Sequence, residues 1–321
     1  MMYVDKLYID NLDAFTEWGV FVERNGYRQV IQIAPFKKVD TTDWPEHDGI
    51  EADLSNPVFD ARTLTVPFCI TDVAMARNLF VKLSDGCYHT FNFVELGRSY
   101  VLRMTSNGSF SSLVKLGRLS LTFSEDDPSI PASSQSRTGS SSGGDDAAST
   151  STSDVTQRGY VIDGTDLSSY GIWVLKGTDD SMRRAANTKN NLKIKTKNTS
   201  GVVYDGVESH WMSKDVTIRA LINAPSMTEF WRRYNDFFRD LTQSGSRSVE
   251  VSGIDYAYEG FFKSMSVQRF EILNGGRVWC DFSVVMTLTG WIPVSSWYLL
   301  STENDYLVLT EDGTSNIIIR V

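Results

Sequence analysis

The chain writes one pattern twice, and any fold it adopts must accommodate that duplication. "LYIDNLDAFTEWGVFV", residues 7–22, returns as "YVIDGTDLSSYGIWV", residues 160–174. Ile9, Asp10 and Asp13 meet Ile162, Asp163 and Asp166, and Gly19 meets Gly171. Two short echoes can arise by chance, but further echoes in the same order argue for a repeated structural unit. "DGIE" at 48–51 is answered by "DGVE" at 205–208, and the alternating Arg62, Leu64, Val66 by Lys214, Val216, Ile218.

After each alternating run the period changes from two to that of a helix. In the first copy Val73, Ala76, Phe80 and Leu83 recur behind Asp72, a natural N-cap, and Gly86 follows. In the second, Phe230, Trp231, Tyr234, Phe237, Phe238 and Leu241 form an aromatic stripe, and Ser226 with Glu229 has the spacing of a capping box. At that spacing the stripe is the face that packs on a sheet rather than a ligand platform. Each copy then closes with strand-like segments: "SYVLRMTS" (99–106) and "GRLSLTF" (117–123) in the first, "YEGFFKSMSV" (258–267) and "CDFSVVMTLTG" (280–290) in the second.

Between the copies, "PASSQSRTGSSSGGDDAASTSTSD" (131–154) has almost nothing to bury, so it reads as a flexible linker. The expected organisation is a mainly β, α+β chain with two tandem related β-sandwich or barrel domains, each with one flanking amphipathic helix. These occupy 1–125 and 159–290, with the linker at 126–158 and a C-terminal β-hairpin extension at 291–321. The extension contains its own small repeat, "YLLSTEND" then "YLVLTEDG", with turns expected at Asn304-Asp305 and Asp312-Gly313. Its "NIIIRV" end calls for an existing sheet or another chain to cover it.

A search for chemistry finds little. His47, His89 and His210 stand in no metal-ligand spacing, and Cys69, Cys87 and Cys280 are isolated, which predicts buried thiols rather than a zinc site or disulfides. No nucleophile elbow, phosphate loop or dinucleotide fingerprint occurs, so no catalytic residue, metal or cofactor is expected. The recurring Asp10/Asp13 and Asp163/Asp166 are read as turn chemistry, their carboxylates accepting backbone N–H bonds, and Gly19 and Gly171 as bulges or points of close backbone approach. A net charge of −9 weighs against a general nucleic-acid or anionic-membrane binder. No signal peptide or apolar span is visible, so synthesis in a cytoplasm without membrane insertion is expected.

One local surface is basic. "KGTDDSMRRAANTKNNLKIKTKNTSG" (176–201) carries Arg183, Arg184, Lys189, Lys193, Lys195 and Lys197, and these are the candidate subunit-interface residues.

The opening "IDGTDLSSYGIWV" (162–174), the long insert, the further strands, the aromatic helix and the closing β-pair together resemble the N-terminal domain of the distal tail proteins of long-tailed bacteriophages. That family shares a β-sandwich-or-barrel architecture with tail-tube and baseplate-hub proteins. The resemblance implies a virion tail component, of a phage or prophage, synthesised in the bacterial host. It also implies self-association into a trimeric or hexameric ring, contact with other tail or baseplate proteins, and a basic insert reaching the neighbouring subunit as a hairpin. Doubling of the domain departs from the family, and a ring of six domains could then close with three chains. Two rivals stand beside this reading. One is a two-domain β-sandwich carbohydrate- or protein-binding module using Trp44, Trp211 or Trp297, which a tail-tip protein touching a host-surface glycan would combine with the first. The other is an enzyme such as a glycosidase with distant carboxylates.

Overall fold

A computed structural model describes residues 6–113, 116–130, 159–189, 193–204, 210–252, 254, 256–291, 297–299 and 318–320. The chain opens with a hairpin of β1 (Leu7–Ile9) and β2 (Leu12–Asp13), then helix α1 (Ala14–Trp18) and strand β3 (Val20–Val22). Asp10 and Asn11, in the loop, have φ of 50° and 67°, the left-handed backbone that matches a two-residue loop to the twist of its strands. Asp13 caps α1 by accepting the N–H groups of Phe15 and Thr16. Gly19, expected at a bulge or a close backbone approach, lies close against Thr71 and is the C-cap of α1 at φ 64°, a conformation glycine enters without a steric penalty.

A β4–β5 pair (Thr41–Thr42, Glu51–Ala52) lies in the insert, before β6 (Arg62–Ile70). In β6 alternate residues are buried, as the sequence pattern requires. Helix α2 (Val73–Leu83) follows, with Asp72 accepting from the N–H groups of Ala74 and Met75. Strands β7 (Tyr88–Phe93), β8 (Arg98–Leu113) and β9 (Leu116–Glu125) complete a seven-stranded antiparallel sheet in the order β2-β1-β7-β8-β9-β6-β3. Ile130 packs against the core, and Asp126 is held by Tyr88, Ser124 and Arg103. Ordered structure therefore runs into the segment assigned to the linker, whose residues 131–158 lie outside those described.

The second half repeats this plan. Strands β10 (Tyr160–Ile162), β11 (Thr165–Asp166) and β12 (Ile172–Val174) are followed by α3 (Thr178–Arg183), the pair β13 (Lys193–Ile194) and β14 (Val203–Tyr204), then β15 (Lys214–Ala224) and α4 (Met227–Leu241). With β16 (Arg247–Val251), β17 (Tyr258–Ile272) and β18 (Val278–Leu288), they give the order β11-β10-β16-β17-β18-β15-β12, identical position by position to the first sheet. Asp163 and Gly164 turn the hairpin at φ 49° and 73°. Asp166 caps the single turn that replaces α1, and Gly171 closes it at φ 67°.

Of the register shifts in β8–β9 and β17–β18, one falls at matching places, opposite Phe123 and Thr122 in the first copy and opposite Met286 and Val285 in the second. A bulge kept at the same point of both copies marks a shared unit rather than a shared composition. The structure is thus mainly antiparallel β with few helices, an α+β fold. Strand β19 (Trp297–Leu299) pairs with β20 (Ile318–Arg320), while both predicted tail turns and the "DGVE" stretch lie outside the described residues.

Buried residues of the two halves join in one apolar cluster. Cys280 belongs to it, but Cys69 is partly exposed and Cys87 exposed, against the expectation of buried thiols. Cys87 falls in the turn before β7, where no sheet covers it.

Candidate assembly surfaces

Half meets half through surfaces that are not equivalent. On one side is α4, whose aromatic stripe is buried as expected but on more than its own sheet. Phe237 and Phe238 pack on Phe282 of β18, while Trp231 and Tyr234 reach into the first half. The indole N–H of Trp231 donates to the Leu96 carbonyl at 2.6 Å, and the Arg98 guanidinium lies 3.3 Å from its ring centroid. Arg98 also donates to Asn235 Oδ1 at 2.8 Å. The Tyr234 hydroxyl donates to the Ile31 carbonyl at 2.6 Å in a fully buried site, and that burial raises its pKa well above the usual phenol value. Rings complete the seam, Phe36 on Phe262 at 5.3 Å and Tyr27 on Phe270 at 6.4 Å, both edge-on.

A second seam comes from the "DGIE" motif. Gly49 donates to the Trp211 carbonyl at 2.7 Å, Ile50 to the Thr289 carbonyl at 2.7 Å, and the Asp48 carboxylate accepts the Trp211 N–H at 2.6 Å. Gly49 has φ 73°, and a Cβ there would sit 1.8 Å from the Thr289 oxygen. Only glycine permits this approach. Ser226 caps α4 through the Glu229 N–H at 3.2 Å, but the Glu229 carboxylate is engaged by Arg232 and Arg233 rather than returning to the cap. The predicted capping box is therefore half realised.

The basic insert is a short helix followed by the β13–β14 hairpin. Arg183 and Arg184 are exposed on and after α3, and Lys195 and Lys197 are exposed beyond β13, on which Lys193 lies. Lys189 departs from the interface role given to it. It is buried, donates to the carbonyls of Trp44 and Gly49 at 2.7 and 2.6 Å and pairs with Asp43 at 2.5 Å, so its charge serves the seam within the chain. A buried ammonium needs such partners to offset its lost hydration. Spacing alone could not separate Lys189 from its neighbours, because its partners lie in the other copy.

Trp44 is half exposed with its indole N–H on Glu51, and Trp211 meets Trp291 edge-on at 4.9 Å. The side chain of Trp297 lies outside the described residues. Among described residues no group of three or more His, Cys, Asp or Glu is placed to hold a metal, and no helix is long and apolar enough to cross a membrane.

The recurring aspartates hold the hairpins to their sheets. Asp10 accepts the Thr90 N–H, and Asp163 that of Ser248. Asp10 also meets His89 at 2.7 Å and Lys82 at 2.8 Å, and His89 meets Asp85 at 3.2 Å. Partial burial pushes the Asp10 carboxyl up, but Lys82, His89 and the Thr90 N–H together outweigh it and set the pKa at about 2. A carboxyl depressed in the folded state stabilises fully above its unfolded pKa and loses that contribution as pH falls through the folded value. Asp10→Asn should therefore melt lower than the parent near neutrality, and the gap should close between about pH 4 and pH 2. Thermal midpoints across that range check it; a gap independent of pH would mean that turn geometry, not charge, carries the contribution of Asp10.

No protein-family model matches the sequence, and no curated protein matches it. Among solved structures, the chain is similar to the crystal structure of the Dit protein of phage SPP1, described as a paradigm of the hub adsorption apparatus in phages infecting Gram-positive hosts. The identity is 15% and the TM-score 0.31, over 41% of this chain and 49% of that one. The match thus spans about half of that protein's length, and a likeness so slight has no bearing on this chain's role.

Proposed function

We propose that the chain is a structural, non-catalytic component of a bacteriophage or prophage tail, at the distal tail or baseplate hub, which assembles into a ring joining tail tube and tail tip. The observation that carries this is the seam between the halves: two copies of one fold unit already meet head to tail, through different surfaces of each. Contacts of that kind, repeated between copies, generate rings when the rotation closes. The distal-tail resemblance of residues 162–174 supplies the biological setting. Exposed Arg183, Arg184, Lys195 and Lys197 on an acidic chain offer a charge-complementary contact to a neighbouring subunit.

Light scattering across a concentration series, with negative-stain imaging of the largest species, tests the proposal. A discrete trimer or hexamer with a central opening is the expected result. A strict monomer at every concentration would remove self-assembly as the function and leave the binding-module reading, for which half-exposed Trp44 is the first residue to test against glycans.

A further inference from the structure

Because the halves use different surfaces on each other, each half keeps uncovered the surface that its counterpart has used. Equivalent positions follow from the helix caps and strand registers. With Asp72 matched to Ser226, Arg77, Phe80 and Val81 of α2 stand where Trp231, Tyr234 and Asn235 stand on α4. Phe110 pairs with Leu119 and Val267 with Phe282, and those partners face Phe68 and Ala220, which in turn pair with the equivalent Val22 and Val174. Phe110 is therefore the counterpart of Val267.

The four positions of the second half are buried, Trp231, Tyr234 and Asn235 against the first half, with exposures of 8% for Trp231, 0% for Tyr234, 9% for Asn235 and 7% for Val267. Their first-half counterparts are not: Val81 is 69% exposed, Phe110 52%, Arg77 is exposed and Phe80 half-buried. Val73, Ala76, Arg77, Phe80, Phe110 and Leu119 line an open, largely apolar groove at this place. Exposed apolar surface of this kind marks an interaction site.

The surface that fills the matching place within the chain is the connection between β7 and β8, carrying Leu96 and Arg98. Its counterpart in the second half lies between β16 and β17, where Tyr256 is 43% exposed and lines an open recess with Val161, Glu250 and Ile254. Groove and recess are the two unused ends of one repeating contact, and their rims carry opposite charges, Arg77 at one and Glu250 at the other.

We infer that the α2 groove receives the Tyr256 surface of a second copy of this chain, repeating between chains the contact that α4 makes within one. The inference rests on the assembly reading and specifies its interface. Such a contact is heterologous, so no copy can saturate itself and growth continues until a ring closes.

Two variants test it by light scattering: Val81→Glu with Phe110→Asp in the groove, and Tyr256→Asp in the recess. Parent protein should form a discrete oligomer, each variant alone should stay monomeric, and the equimolar mixture should give a 1:1 dimer that grows no further, since only one intact groove meets one intact recess. All the substituted side chains are exposed, so melting temperatures should match the parent's; Val81→Glu alone serves should the double variant lose its fold. If the parent assembles and the groove variants assemble as well, this surface is wrong while the assembly reading stands. If the recess variant assembles and the groove variant does not, the groove meets another groove and the head-to-tail contact falls. A parent that stays monomeric overturns both.

Discussion

Phe237→Ala is expected to cost about 3–5 kcal/mol, the range for emptying a packed aromatic site. The side chain is 2% exposed, at the centre of α4's contact with its own sheet. Its ring meets Tyr170 edge-on at 5.7 Å, Phe238 at 4.9 Å and Phe282 at 6.3 Å. These three neighbours come from the turn before β12, the helix itself and β18, and none can move into the vacated volume without leaving its own ladder or turn. At about 2–4 °C per kcal/mol for a unit of this size, the thermal midpoint should fall by roughly 10 °C. Val81→Ala, on the exposed flank of α2, should by contrast stay within about 0.5 kcal/mol. A Phe237→Ala variant melting beside its parent would mean that α4 is not seated on β18 as described.

What the sequence made legible was periodicity and local turn chemistry. Most strands of both sheets (though not β7 or β16), the caps Asp72 and Ser226, the hairpin turns at Asp10 and Asp163 and the packed face of α4 follow from residues within a few positions of one another. The capping role of Gly19 and Gly171 did not show, because α1 and its one-turn counterpart are too short to display a helical period, although the close approach expected at Gly19 is present, where a Cβ would sit 2.9 Å from Thr71 Oγ1. The seams between the halves were hidden for another reason: Gly49 with Thr289, Lys189 with Asp43, and Trp231 with Leu96 join residues far apart in the chain. At 100° per residue, the buried residues of α4, from Phe237 through Phe230, Leu241, Tyr234, Phe238 and Trp231 to Asn235, cover an arc of about 160°, whereas the buried Ala76, Leu79 and Leu83 of α2 cover about 60°. A helix buried over the wider arc packs between two layers, and one over the narrower arc packs on a single sheet. Asn235, polar but buried, concealed the width because its partner is Arg98 in the other half.

Trp231→Ala should therefore do more than open a cavity. Removing the ring should cost about 3–5 kcal/mol, and it also leaves two groups of the first half without their partner. The Leu96 carbonyl loses its donor in a buried site, and the Arg98 guanidinium loses the aromatic face over which it lies, a contact stronger when desolvated. Arg98 is already disfavoured by burial, which lowers its pKa from the ordinary guanidinium value, so removing its cover makes the seam the weakest plane in the molecule. The parent, with one continuous core, should unfold in a single calorimetric transition whose van't Hoff and calorimetric enthalpies agree. The variant should show two, with the half that carries α2 and the half that carries α4 melting separately. Trp231→Phe separates the two contributions: it keeps a ring for Arg98 but strands the Leu96 carbonyl, so it should cost about 1–3 kcal/mol and leave one transition. One unsplit transition for Trp231→Ala, at the parent's midpoint, would show that the halves are held together without α4. The groove on α2, built from the same positions, would then have no occupied contact to serve as its template.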